Sequence, residues 1–218
     1  MKHFWFFDLD GTLADTDGDI RGAWKATLAD LGLNCPDFDE KFVTGPSLEE
    51  IFRKLFPNQV TPELLAEARR LFGSHYDNDG FPTTRPYAGM IEAIEELKRK
   101  GARVFIVTNK RRAGALALSK LFGWDRVFEA LYTGDMYRDD PAIGMLRKPA
   151  LLARAMADVG ARAEDSVMVG DTVNDFEAAA ANGVDALAVD WGYGQDSEKE
   201  AAQARIASPK DILTCIYA

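Results

Sequence analysis

The chain is poor in the residues that build the commonest metal and redox centres. Its 218 residues include two cysteines, Cys35 and Cys215, and two histidines, His3 and His75. The cysteines stand far apart, with no CxxC or CxxH spacing. That excludes a zinc-finger or dithiol motif and leaves two reduced, mostly buried thiols as the expectation. No second histidine supports either His, so neither reads as a metal ligand. Long apolar runs are also missing. The stretch Phe4–Phe7 is cut short by Asp8, too early for a signal peptide or a membrane span. Positive charge is scarce, with 26 Lys and Arg against 35 Asp and Glu and a net charge of −9. Such a chain binds nucleic acid poorly and is not drawn to anionic membranes. The expectation is a soluble cytoplasmic protein, monomer or homodimer, without nucleic-acid or membrane partners. An anionic substrate would need local positive charge or a cation to approach it.

What is present is an alternation of short apolar runs with helical patterns. Arg103-Val104-Phe105-Ile106-Val107, Ser166-Val167-Met168-Val169 and Ala186-Leu187-Ala188-Val189 read as strands buried on both faces, with residues 127–132 a weaker fourth. Ile91, Ile94 and Leu97 share one helix face that Gly101 ends. Leu151, Leu152, Ala155, Met156 and Val159 mark another helix, closed by Gly160. Residues 173–181 form a third, ending at Asn182-Gly183. This rhythm predicts an α/β doubly wound, Rossmann-like core, in which ligands bind beyond the carboxyl ends of parallel strands.

Residues 16–82 break the rhythm. Ile20, Ala23, Trp24, Thr27, Leu28 and Leu31 space as an amphipathic helix, and 48–56 and 62–76 read as helical too. No strand is expected there. The run 79–86, rich in Gly and Pro, reads as a return linker. The predicted division is a core of residues 1–15 and 84–218 interrupted by a helical insertion, 16–83.

The densest chemistry lies in Phe7-Asp8-Leu9-Asp10-Gly11-Thr12-Leu13. If the chain stays extended past the first strand, Asp8 and Asp10 point to one side. Crowded like charges need a cation or a reaction to justify them. Three further polar groups follow at predicted strand or helix ends: Thr108-Asn109-Lys110, Lys148-Pro149, and Gly170-Asp171-Thr172-Val173-Asn174-Asp175.

This set, in this order, resembles the haloacid dehalogenase superfamily, and within it the phosphoglycolate-phosphatase-like group with a helical cap. Thr108-Asn109-Lys110, Gly45-Pro46 and Trp191-Gly192-Tyr193-Gly194 carry the closer likeness, which spans essentially the whole chain. The resemblance implies a phosphatase acting on a small phosphorylated metabolite. Asp8 would be the nucleophile and Asp10 the acid and base. Mg²⁺ would sit on the Asp8 carboxylate, the Asp10 backbone carbonyl and Asp171, with Asp175 binding through water or orienting a neighbour. Thr108, Asn109 and Lys148 would hold the phosphoryl group. The chain departs from the pattern at Lys148-Pro149-Ala150-Leu151, which lacks a second proline, and in a long segment, 135–147, expected to form an extra loop. Within the cap, Thr44-Gly45-Pro46-Ser47 is the expected substrate-facing loop.

Each residue also has a structural reading. A lone Asp at a strand end caps helices or turns, and Asp175 suits a helix's first turn. Lys110 reads as a solvated lysine rather than a substrate contact, Arg21 as a surface residue, and Trp191 and Tyr193 as packing. A sugar-phosphate mutase shares all four motifs and is the rival enzyme. A non-catalytic regulatory protein on the same fold is the rival of another class.

Overall fold

The computed structural model describes residues 2–78 and 80–215. The expected return linker begins at Asp79, which lies outside the described residues. The chain divides into two compact units, one made of Met1–Asp15 and Pro86–Ala218, the other of Thr16–Arg85.

The first unit is built on six parallel strands: β1 (Phe4–Phe7), β2 (Arg103–Thr108), β3 (Ala130–Thr133), β4 (Ser166–Gly170), β5 (Asp185–Val189) and β6 (Ala204–Ile206). Their order across the sheet is β3-β2-β1-β4-β5-β6. The order reverses beside β1, so loops leaving β1 and β4 diverge and open a crevice at the carboxyl edge. Strand β1 can be wholly aromatic because both its faces are covered: Trp5, Phe6 and Phe7 are buried, and Phe6 stacks on Phe105 at 5.3 Å. Register fixes which loops meet. Phe7 lies opposite Ile106 on one side and Val169 on the other. Asp8, Thr108 and Asp171 therefore emerge at nearly the same level. Strand β6 was not expected from sequence, which ended the core strands at Val189.

Helices α5 (Met90–Arg99), α6 (Arg112–Leu121), α7 (Lys148–Val159), α8 (Val173–Ala181) and the short α9 (Asp196–Lys199) flank the sheet, numbered after four helices of the second unit. Gly160 ends α7 in the left-handed conformation at φ 68°. The 135–147 segment is a series of turns, anchored where the Arg112 backbone N–H donates to Asp135 at 2.9 Å.

The second unit holds α1 (Asp17–Asp30), α2 (Phe38–Lys41), α3 (Leu48–Leu55) and α4 (Pro62–Asn78). Its core gathers around Trp24, whose ring lies 5.6 Å from Phe72, 6.2 Å from Phe42 and 6.3 Å from Phe52. Ser47 and Glu50 form a capping box that starts α3. Cys35 and Cys215 are both free and half-buried, less covered than the sequence suggested. His75 pairs with Asp30 at 2.8 Å. Arg21 is no idle surface residue: it pairs with Asp17 and lies over the Phe42 ring. Among the described residues no helix is long and apolar enough to cross a membrane.

Candidate active site

The site grows from the carboxyl edge of β1, and from β2 and β4 on either side. The chain leaves β1 at Asp8, whose backbone N–H still donates to Val169 O at 2.9 Å. It then turns tightly, with Leu9 O accepting from Thr12, Leu13 and Ala14. The backbone is therefore not extended through both aspartates, and their carboxylates are served by different lysines. Asp8 Oδ1 lies 2.9 Å from Lys148 Nζ. Asp10 Oδ1 lies 2.7 Å from Lys110 Nζ. This corrects the reading of Lys110 as solvated: it is buried and ion-paired.

Lys148 is the first residue of α7, so the helix start aims its stem at β1 despite the missing second proline. Its ammonium also pairs with Asp175. Asp175 is fully buried. Its Oδ2 accepts from Thr172 N at 3.0 Å, Thr172 Oγ1 at 3.1 Å and Asp171 N at 3.2 Å. Third-position acids close helix starts in this way, and here the same residue ties the Asp171 loop to Lys148. Asp171 receives Thr12 Oγ1 at 3.3 Å and the Tyr193 backbone N–H at 2.7 Å. Gly11, Gly192 and Gly194 leave room for Asp171, since a Cβ on any of them would collide with it. Tyr193 thus contributes its backbone to the site, which a reading of it as packing missed. Trp191 donates to Thr12 O at 3.2 Å. Thr108 is buried, its Oγ1 accepting from Lys110 N at 3.2 Å, while Asn109 is exposed in the loop.

Asp8, Asp171 and Asp175 each bring one carboxylate oxygen within 4.8 Å of the others, all buried. Burial pushes the Asp8 carboxyl up to about 6, against the pull of Lys148, with Asp175 and Asp10 raising it further. Burial also pushes Asp171 up to about 8, reinforced by the charges of Asp175 and Asp8. Burial alone would lower Lys148, but Asp175 and Asp8 hold its ammonium above the ordinary lysine range. With all three carboxylates ionised, one ammonium would leave two negative charges unbalanced within the cluster, and the raised Asp8 and Asp171 carboxyls reflect that crowding. Buried hard oxygens with that surplus fit a divalent cation.

The haloacid dehalogenase-like hydrolase profile matches residues 5–189. The chain belongs to this family. It is 33% identical to a phosphoglycolate phosphatase of Mesorhizobium japonicum, over 95% of this chain and 91% of that protein. It is 29% identical to a 5'-nucleotidase of Pseudomonas aeruginosa, over 95% and 93%. A solved structure described as a predicted phosphatase from Clostridium acetobutylicum has a TM-score of 0.87 and 24% identity, covering 100% of this chain and 99% of that one. This haloacid dehalogenase-like protein is a hydrolase of the phosphatase kind, and its buried aspartate cluster is suited to the divalent metal that the family generally uses.

Proposed function

We propose that the protein is a Mg²⁺-dependent phosphatase for a small phosphorylated metabolite of the phosphoglycolate type, working through an aspartyl-phosphate on Asp8. The observation that carries this reading is the Asp8 carboxylate, buried at the end of the central strand, 2.9 Å from Lys148 and grouped with Asp171 and Asp175. An Asp8 carboxyl near 6 is mostly ionised at neutral pH, as a nucleophile must be.

In the first step an Asp8 oxygen attacks phosphorus and the ester P–O bond breaks. Its electron pair goes to the departing oxygen, which takes a proton from Asp10. In the second step water attacks the aspartyl-phosphate, passing its proton to Asp10 as the Asp8–phosphorus bond breaks. Asp10 thus returns to its starting form after each turnover. Thr108 Oγ1 and the Asn109 N–H are the donors to the phosphoryl oxygens, and Lys148 keeps Asp8 in place and offsets its charge. The residues that would hold Mg²⁺ are Asp8, Asp171 and the Asp10 carbonyl, with Asp175 either joining through water or orienting Lys148 and the Asp171 loop. When bound, the ion neutralises charge on the transferring group. Substrate choice is assigned to the helical insertion, with the loop Thr44-Gly45-Pro46-Ser47 the first segment to vary.

The relatives' activities, on phosphoglycolate and on 5'-nucleotides, set the range of substrates to screen. Phosphate release should be measured over a panel of sugar phosphates, phosphoglycolate, nucleoside monophosphates and pyrophosphate, with Mg²⁺ and with chelator. Asp8→Asn should lower turnover by at least ~10³-fold while circular dichroism stays native. Undiminished activity in that variant overturns the mechanism. Isomerised substrate in place of free phosphate would indicate a mutase instead.

A further inference from the structure

Lys110 is a buried cation of the site that the two steps above leave without a task. Its side chain is only 5% exposed. Lysine is almost never fully buried unless paired, and ordering its long stem costs up to ~2 kcal/mol of rotamer freedom. Its Nζ stands 2.7 Å from Asp10 Oδ1, and its backbone N–H is anchored on Thr108 Oγ1 at 3.2 Å. The strands on either side of β1 are thus not equivalent in what they carry. Beyond β2 comes a lysine for Asp10. The helix leading into β4 carries a lysine for Asp8 and Asp175.

Asp10 needs such a partner more than Asp8 does. Asp8 follows directly on β1 and still bonds to β4. Asp10 sits beyond the bend, where the six-stranded sheet no longer fixes the backbone, and its side chain is 16% exposed. A group that must give and take a proton at one ester oxygen loses its effect if it rotates away.

We propose that Lys110 is a positioning residue for proton transfer: by holding Oδ1 of Asp10, its ammonium fixes the carboxyl group toward the departing ester oxygen. The proposal rests on the reading of Asp10 as acid and base. The proton still moves between Asp10 and the ester oxygen, then between water and Asp10, and Lys110 exchanges none.

The test uses leaving groups of different need. An alkyl phosphate must have its departing oxygen protonated, whereas p-nitrophenolate leaves as a stable anion. The ratio kcat/KM reports steps up to the first irreversible one, so it isolates ester cleavage. With Lys110→Met, kcat/KM for the best alkyl phosphate of the panel should fall at least ~10-fold, and that for p-nitrophenyl phosphate less than ~3-fold. Lys110→Arg, which keeps the charge, should recover part of the alkyl rate. In an Asp10→Asn background Lys110→Met should cost nothing further, because its effect runs through Asp10. Equal losses on both substrates, a rise in KM with kcat kept, or additive losses in the double variant would overturn the proposal. Asp10→Asn alone tests the underlying reading separately. If it spares alkyl phosphates, the acid–base assignment falls whatever Lys110 does. If it is selective against alkyl phosphates while Lys110→Met is not, only the positioning role falls. Should Lys110→Met fold poorly, Lys110→Arg, less disruptive to the buried pair, should show a smaller loss with the same selectivity for alkyl phosphates, and an unselective loss there overturns the proposal too.

Discussion

Asp171 shows how much backbone one carboxylate can require. It is fully buried, bonded by the Tyr193 N–H, and approached so closely by Gly11, Gly192 and Gly194 that none of the three has room for a Cβ. At Gly194 the obstruction is the Asp171 backbone carbonyl, which cannot swing aside as a side chain can. Gly194→Ala should therefore destabilise the protein by about 1–3 kcal/mol. It should also weaken Mg²⁺ binding, both read from thermal unfolding with and without the ion. An unchanged midpoint and Mg²⁺ response would refute the close approach. Asp8, Asp171 and Lys148 were legible because each ends or starts a strongly patterned element. Lys110 was not. Its partner lies 100 residues away, and nothing in the local sequence Thr108-Asn109-Lys110-Arg111 marks its stem as buried.

Among elements, capping explains what could be read and what could not. Helix α8 matches its expected span, Val173–Ala181, because Thr172 and Asp175 mark its start and Asn182-Gly183 its end. Strand β6 escaped notice because it has three residues, and only Ile206 of them is buried. An edge strand this short offers no period to read. In the helical insertion, Asp19 in the first turn of α1 accepts from Thr83 Oγ1, Thr84 Oγ1, Thr84 N and Thr83 N, at 2.6, 2.6, 2.7 and 3.0 Å. Burial alone would raise its carboxyl, but these donors hold it below the usual range. Its contribution is therefore present above pH ~4 and lost as acid protonates the folded form. Asp19→Asn should cost about 1 kcal/mol near neutral pH, a modest figure because the group is partly exposed, and less below pH 3. Urea unfolding at both pH values checks the difference, and an equal loss at each would contradict it.

For the whole molecule, the surplus negative charge of the site becomes a matter of stability. Asp8 and Asp171 titrate near 6 and 8 in the folded chain, against an ordinary 3.8. Between those limits the folded state holds more protons than the unfolded one. Metal-free protein should thus lose stability, on the order of a few kcal/mol, as pH rises from about 5.5 to 8. Binding a divalent cation replaces those protons, so Mg²⁺ should raise the unfolding midpoint more at pH 8 than at pH 5.5. Asp171→Asn should flatten the slope in chelator. A metal-free midpoint that climbs over this range would show that the cluster does not govern it.

The sequence by itself determined the order of elements, the helical insertion and the identity of the main charged groups. These follow from local periodicity, capping and spacing, which act over a few residues. Only the tertiary structure decided which charge meets which. Parallel register beside β1 brings together loops 100 or more residues apart. Burial there removes the water that would have screened them. That is why Asp8 and Asp10, neighbours in sequence, end up held by two lysines from different elements.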